Sequence, residues 1–113
     1  MLKASKDMRW PGGDYFHIAT VCLSDEEIEQ RTGQSLIKGA EPGLGLWLSA
    51  GGKMASGLDV ELIRYTEAPE ELSSQYIIRV DKKANHSDAL EQVLGLLQLK
   101  LKDLDWVFNE AAI

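Results

Sequence analysis

The sequence predicts a single α+β domain, in which a mostly antiparallel sheet of about four strands carries a long C-terminal helix packed on one face. Three observations lead to this prediction. Apolar segments with strand-like patterns precede residue 82, a helix-capping signature lies among them, and a 3.6-residue apolar repeat follows. With 113 residues, 44% of them hydrophobic, the chain is long enough for one buried core. We expect the element order β-α-β-β-β-α.

The first predicted strand begins at Tyr15. Residues 1–14 end in the turn signature PGGD, so we expect an N-terminal arm or an edge strand there and the single domain at 15–113. The segment 15–22 is rich in β-branched and aromatic residues and is apolar at both alternating sets of positions, which is typical of a central strand.

A short helix is predicted directly after this strand. Ser24 and Glu27 form a capping box, and the carboxylates of the first turn suit the positive end of a helix dipole. Gly33 supplies the left-handed residue that closes a helix. The helix is therefore predicted from Asp25 to about Thr32.

Three further strands are predicted after a loop at 34–43. The first covers 44–50, where leucines alternate with glycine, tryptophan and serine. The second covers 58–63 and the third 75–81, each with alternating apolar positions. Because short connections join the three, we expect an antiparallel meander.

The meander also predicts an aromatic second face. If the leucines of 44–50 face the long helix, Trp47 faces the other side, together with Phe16 or Tyr15 and with either Tyr76 or Ile77. Such a face binds a ligand or a partner, or the short helix covers it. The sequence leaves these alternatives open.

The last predicted element is the longest, and Ser87 or Asp88 is expected to cap its start. At 100° per residue, seven apolar side chains share one stripe: Leu90, Val93, Leu94, Leu97, Leu101, Leu104 and Phe108. A narrower row lies opposite: Gly95, Leu99, Lys102 and Trp106. A glycine inside a helix costs roughly 1 kcal/mol relative to alanine, so we expect a close neighbour at Gly95. That neighbour is the short helix or the N-terminal arm, or alternatively a second copy of the chain or another partner.

The net charge of the chain limits the classes of partner that it is expected to bind. The formal net charge of −6 opposes contact with a nucleic-acid backbone and favours a basic protein partner. No apolar run resembles a secretory signal or a membrane span. One cysteine, Cys22, excludes an internal disulfide. We expect a cytoplasmic protein that contacts neither membrane nor nucleic acid.

The groups that most often carry out catalysis are sparse. Cys22 and His17 lie five positions apart on one predicted strand and therefore face opposite sides. With His86 they are too scattered for a zinc site. The sequence GGK at 51–53 lacks the rest of a phosphate-binding loop and leads into a strand rather than a helix. We predict no catalysis, no cofactor and no metal.

Two functional classes remain. The first is a small acidic protein-binding domain, such as an immunity or inhibitor protein that neutralises a basic toxin or nuclease. Its predicted contact residues are Asp25, Glu26 and Glu29 on the short helix, and Gly95, Leu99 and Trp106 on the long helix, through which a homodimer is also expected as an alternative. The second is a small-molecule-binding domain or a small enzyme that uses the aromatic sheet face. Its predicted contact residues are Trp47 and Tyr76.

Overall fold

The computed structural model describes residues 3–4, 15–67 and 75–108. Seven strands are found there: β1 (Lys3–Ala4), β2 (Tyr15–Cys22), β3 (Ile37–Glu41), β4 (Gly45–Lys53), β5 (Asp59–Tyr65), β6 (Gln75–Asp81) and β7 (Trp106–Val107). They are accompanied by two helices and a 3-10 turn: α1 (Asp25–Thr32), α2 (His86–Leu97) and Leu101–Asp103. Of the predicted arm or edge strand at 1–14, only β1 belongs to the described residues, and it pairs with the end of β4.

Every strand pairing in the described part of the chain is antiparallel. The strands follow the order β1-β4-β5-β6-β2-β7, and β3 pairs with the same edge of β4 as β1 does. The α+β class, the antiparallel sheet and the meander of β4, β5 and β6 are therefore confirmed. The sheet is wider than predicted because β1, β3 and β7 each add a pairing. The segment 34–43 is not all loop, since it contains β3.

Strand alternation gives the sheet two different faces. On one, which we call the helix face, the sheet shares a core with the helices: Ala50, Val60, Leu62, Ile78 and Val80 contact the cluster that includes Ile28, Leu90, Val93 and Leu97. On the other, which we call the second face, the buried residues are mixed in character: Trp47, Ser49, Glu61, Ile63 and Arg79. A bulge between His17 and Ala19 shifts the register of β2.

Helix α1 has both of its predicted ends. The Ser24 hydroxyl accepts a hydrogen bond from the Glu27 N–H at 3.1 Å, and the Glu27 carboxylate accepts one from the Ser24 N–H at 3.1 Å. Gly33 adopts φ 72° and donates its N–H to the carbonyl of Glu29. The predicted span Asp25–Thr32 is confirmed because these signals are local and need no distant partner.

The predicted long helix is wrong beyond Leu97. Asn85 caps the start of α2 by accepting the N–H of Asp88 at 3.0 Å, so neither predicted cap is used. At the other end Gln98 adopts φ 56°. Its N–H bonds the carbonyl of Gly95 at 3.3 Å, and the next N–H bonds that of Leu94 at 3.0 Å. This is the Schellman pattern of a helix end, formed without glycine.

The chain after α2 returns to the sheet. Trp106 pairs with Thr20 and Val107 with Ala19, so β7 extends the edge of β2. Residues 97–102 read LQLKLK, and this two-residue alternation suits extended backbone as well as helix. Pairing with β2 is a tertiary contact that the apolar repeat does not encode. Leu101 is consequently 46% exposed rather than turned to the sheet.

We expect Gln98→Gly to raise the free energy of unfolding by about 1 kcal/mol, because glycine adopts a positive φ without the steric cost that a Cβ imposes. Urea unfolding of both proteins measures the difference. Gln98→Ala is the matched control and should give no gain, because it keeps the Cβ. Equal stabilisation by both substitutions would contradict this explanation of the helix end.

Candidate functional site on the second sheet face

Three polar residues on adjacent strands lie side by side on the second face. His17 of β2 pairs with Arg79 of β6, which pairs with Glu61 of β5. Directly opposed residues of antiparallel strands have Cβ atoms about 5 Å apart, so one long side chain reaches both neighbours. Glu61 is 6% exposed and Arg79 is 7% exposed. Charged residues are seldom buried this far unless they are paired.

Arg79 is the centre of these contacts. Its Nε donates to Nε2 of His17 at 3.1 Å, its Nη1 to Oε1 of Glu61 at 3.3 Å, and its Nη2 to the hydroxyl of Tyr65 at 2.9 Å. Its Cζ lies 4.4 Å from the ring centroid of Tyr15, within the range of a cation–π contact. Every guanidinium nitrogen therefore has a side-chain partner.

The contacts continue to the strands on either side. Ser49 of β4 donates its hydroxyl to Oε2 of Glu61 at 2.9 Å. The Tyr65 hydroxyl, which accepts from Arg79, lies 3.4 Å from Oε1 of Glu41 on β3 and donates to it. We call these residues the Arg79 cluster: Tyr15, His17, Glu41, Ser49, Glu61, Tyr65 and Arg79. The cluster joins five strands from β3 to β2.

Trp47 packs beside the cluster and requires a glycine opposite it. Gly39 is its register partner on β3, and the indole ring occupies the position that a Cβ on Gly39 would take. Gly39 therefore lets the indole lie across β3, where it is 7% exposed. This gives the glycine in the weakly strand-like sequence IKGAE a packing role.

The protonation states follow from this geometry. Partial burial of the imidazole and the nearby Arg79 cation lower the pKa of His17. The imidazole is therefore neutral at pH 7 and accepts at Nε2, which places its proton on Nδ1. Burial raises the pKa of Tyr65 against the opposing effect of Arg79, so its hydroxyl keeps the proton that it donates to Glu41.

The buried charged groups of the cluster bind one another rather than groups outside it. Both oxygens of Glu61 and all three nitrogens of Arg79 are engaged inside it. His17 is exposed, while Tyr15 and Tyr65 are half-buried. A ligand on this face would therefore meet the imidazole and the phenol rings rather than the guanidinium. The arrangement first of all holds strands together.

A second ion pair fastens α1 to the helix face. Arg64 binds Asp25 with two hydrogen bonds, from Nε at 3.2 Å and from Nη2 at 2.9 Å. The buried hydroxyl of Tyr76 donates to the same carboxylate. Burial tends to raise the pKa of Asp25, but the hydrogen bonds from Tyr76 and Arg64 outweigh it and lower that pKa. Burial and the Asp25 carboxylate raise the pKa of Tyr76.

Two predicted site residues take part in this group of contacts and therefore do not lie on the surfaces predicted for them. Asp25 and Tyr76 were assigned to different surfaces by sequence, yet they contact each other beneath α1. Tyr76 is fully buried on the helix face, whereas Trp47 lies on the second face. The structure therefore does not bring Trp47 and Tyr76 together. The sequence left open whether Tyr76 or Ile77 shares the face of Trp47, and in the structure it is Ile77.

The carboxylates of α1 are largely used within the fold. Glu29 accepts the N–H of Leu36 at 3.0 Å, and Glu27 pairs with Arg31 at 3.3 Å. Glu26 is exposed. With Asp25 bound to Arg64, the helix start carries less free negative charge than its sequence suggests.

The predicted row Gly95, Leu99 and Trp106 does not form one helix face. Gly95 lies in α2 and is exposed, and apart from its own helix no described atom lies within 4 Å of the position its Cβ would take. Leu99 follows the helix end and packs partly against the core. Trp106 lies in β7 and is 47% exposed. The prediction that these residues form one row on a helix is therefore wrong, because α2 ends at Leu97. A homodimer through such a row has no basis in the structure.

Sequence reasoning missed the Arg79 cluster, although one signal for it exists. Arg79 stands between two apolar residues of β6, and Glu61 has a similar place on β5. Opposite charges at inward positions of neighbouring meander strands predict a cross-strand pair. His17 and Tyr65 complete the cluster only once the strand order is known.

Comparison with known proteins adds no family to this description. No protein-family model matches the chain, and neither curated proteins nor solved structures gave a match. Within residues 3–4, 15–67 and 75–108, no helix has the length and apolar character needed to cross a membrane. Over the same residues, no three His, Cys, Asp or Glu side chains are grouped to hold a metal ion.

We expect Arg79→Met to lower the free energy of unfolding by about 3–5 kcal/mol, because it leaves the Glu61 carboxylate buried without its cation. Adding Glu61→Leu should restore much of the loss, since the unpaired charge is then removed as well. Urea unfolding of the single and double variants measures the coupling. Lys82→Met, at an exposed lysine, is the control and should change stability by less than about 0.5 kcal/mol. A loss below about 1 kcal/mol for Arg79→Met would contradict the role of the cluster.

Asp25→Asn should destabilise the protein at pH 7 by about 1.5 kcal/mol, because the hydrogen bonds from Arg64 and Tyr76 lose a charged acceptor. The pKa of Asp25 is lowered in the fold, so its contribution is present above about pH 4 and is lost as the pH falls below that. The difference between the two proteins should therefore shrink towards pH 3. Glu26→Gln, at an exposed neighbour, is the control. A difference that is constant from pH 7 to pH 3 would contradict the ion pair.

Proposed function

We propose that the protein is a small acidic domain that binds a protein partner and carries out no chemistry of its own. The observation that carries this proposal is a pair of exposed leucines at the tip of the β3–β4 hairpin. Leu44 is 54% exposed and Leu46 is 52% exposed. Ile37 is also exposed, but it pairs with Ser49 and therefore lies on the second face, at the other end of the hairpin. Single exposed apolar residues are ordinary, but two close together at one hairpin tip are typical of a contact surface.

The hairpin turn explains why Leu44 is exposed. The Leu44 N–H bonds the carbonyl of Glu41 at 3.1 Å across Pro42 and Gly43, and Gly43 adopts φ 83°. Proline followed by a glycine of positive φ is the composition of a type II turn. Leu44 follows at the tip, and its side chain has no place in the sheet.

Leu46 lies on the helix face by alternation, as predicted, but neither helix covers it. It pairs with Ala40 at the outer edge of the sheet, and Ala40 is exposed as well. Among the described strands, β3 pairs only with β4. The hairpin therefore presents apolar side chains at a free sheet edge, where a partner reaches them without displacing any described element.

Two carboxylates close to the hairpin turn favour a basic partner there. The Glu67 carboxylate lies against Gly45, between Leu44 and Leu46 in sequence, and Glu41 borders the turn. The chain as a whole carries −6. Apolar side chains bordered by carboxylates suit a partner surface in which apolar groups are surrounded by lysine and arginine. Neutralisation of a basic toxin or nuclease, as an immunity or inhibitor protein does, is the specific form that we propose.

We expect the chain, purified from its own host, to bring down a basic protein whose affinity falls as salt is raised from 50 to 500 mM, because salt screens the attraction. The double substitution Leu44→Ser with Leu46→Ser should weaken the complex at least about tenfold in titration calorimetry, since each side chain is an apolar anchor.

Leu101→Ser is the matched control for this experiment, because Leu101 is also exposed but lies in the 3-10 turn away from the hairpin. It should leave the affinity unchanged. Circular dichroism confirms that the variants are folded. Equal affinities of the wild type and the hairpin variant would contradict the proposed surface, and an acidic or salt-insensitive partner would contradict the charge argument.

A small-molecule site on the second face is the alternative. The observation in its favour is the exposed imidazole of His17 stacked on Tyr15, with ring centroids 5.4 Å apart, beside the phenol of Tyr65. A panel of aromatic and anionic metabolites tests it by thermal shift. A compound that raises the melting temperature of the wild type, but not that of His17→Ala, would favour this alternative.

A further inference from the structure

The start of β2 is attached to the sheet separately from the rest of the strand. Residues 15–17 pair with 79–81, and the bulge after His17 separates them from 19–22. On the other edge β7 pairs only with Ala19 and Thr20, and the last bond from that side is the Phe108 N–H to the carbonyl of Ile18 at 2.9 Å. Within the described residues, 15–17 therefore have a strand neighbour on one side only.

Side chains on both faces supplement this single pairing. On the second face, His17 accepts from Arg79 at 3.1 Å, and the ring of Tyr15 lies against the same guanidinium. On the helix face, Phe16 stacks on His86 with ring centroids 4.2 Å apart and meets Phe108 edge-on at 4.6 Å. Only the contact between His17 and Arg79 needs a particular protonation state of a group that titrates near neutral pH.

We propose that His17 and Arg79 form an acid-sensitive latch, which holds residues 15–17 on β6 while His17 is neutral and releases them when His17 is protonated. Protonation at Nε2 removes the acceptor of the Arg79 Nε–H bond. It also places two cations about one hydrogen-bond length apart. The bulge marks where the release stops, because Ala19 and Thr20 beyond it keep strand neighbours on both sides.

The other charged groups near His17 do not reverse this effect. Arg79 on β6 is its nearest full charge, and Tyr15 on β2 stacks on its ring. From β5, Glu61 already receives bonds from Arg79 and Ser49, and Tyr65 donates its proton towards Glu41 of β3. Asp81 lies opposite Tyr15, where its carboxylate accepts the N–H of Lys83 at 2.8 Å, and Asp105 precedes β7.

These surroundings fix the direction of the pH dependence. Burial and Arg79 lower the pKa of His17 in the fold, so the released segment binds the proton more tightly than the latched one. Closure is therefore favoured above about pH 6.5 and weakens as the pH falls below it, by at most about tenfold per pH unit for one proton.

Amide hydrogen exchange by NMR at pH 7.5 and pH 5.5 tests the latch. After correction for intrinsic exchange rates, the protection of those amides in 15–17 and 79–81 that exchange slowly at pH 7.5 should fall on acidification by up to about tenfold, while that of Ala19 and Thr20 changes little. His17→Gln keeps a neutral acceptor and should remove the pH dependence. His86→Gln, the matched control at the other histidine, should retain it. An equal fall across 15–22, or the same fall in His17→Gln, would overturn the proposal.

A titration of the wild-type protein tests the same latch without a substitution. The ¹⁵N shifts of His17 should show the Nδ1–H tautomer at pH 7.5 and a titration midpoint below 6.5. A midpoint at or above 6.5, or a proton on Nε2 at pH 7.5, would overturn the proposal even if His17→Gln fails to fold.

Discussion

Arg79 is 7% exposed, so its guanidinium needs a partner for each of its nitrogens, because an unpaired charge inside a protein costs several kcal/mol. Arg79 meets this need with His17 of β2, and with Glu61 and Tyr65 of β5. These partners come together only if β6 lies between β5 and β2 in the observed register. A slip of one residue would turn Arg79 to the helix face, into the apolar core. The apolar helix face and the polar second face therefore specify the same strand order from opposite sides of the sheet.

The ionisable groups have a different structural role on each face of the sheet. On the helix face, Arg64 and Tyr76 hold the Asp25 carboxylate and thereby set the start of α1 on the sheet. On the second face, the Arg79 cluster binds strand to strand. Much of the charge that resembles an interaction surface in the sequence is thus bound to partners within the fold. The fold makes no comparable use of the apolar side chains on the β3–β4 hairpin, and this difference supports the hairpin as the contact surface that we propose.

Local signals were sufficient to predict α1, whose cap residues lie within ten positions of each other, and the alternating strands of the meander. The end of α2 was not predictable in the same way, because the leucines at 97, 99 and 101 fit both a helix and an extended chain, and only pairing between β7 and β2 decides. Strand β3 was missed because its sequence IKGAE has weak strand character and gains its place from Trp47 packing over Gly39. The hydrogen bonds of the Arg79 cluster join residues up to 62 positions apart, so its members were visible only as unrelated polar residues.

The hydrogen bond between Arg79 and His17 is the most direct place to examine this account, because it joins the buried ion pair to the exposed end of β2. In ¹⁵N-labelled protein at pH 7.5, we expect a separate, slowly exchanging Nε–H signal for Arg79 and a scalar coupling between its Nε and Nε2 of His17. Coupling of this kind passes only through a formed hydrogen bond. An Arg79 Nε–H that exchanges with water as fast as those of exposed arginines, with no coupling to His17, would contradict the central role given to this side chain.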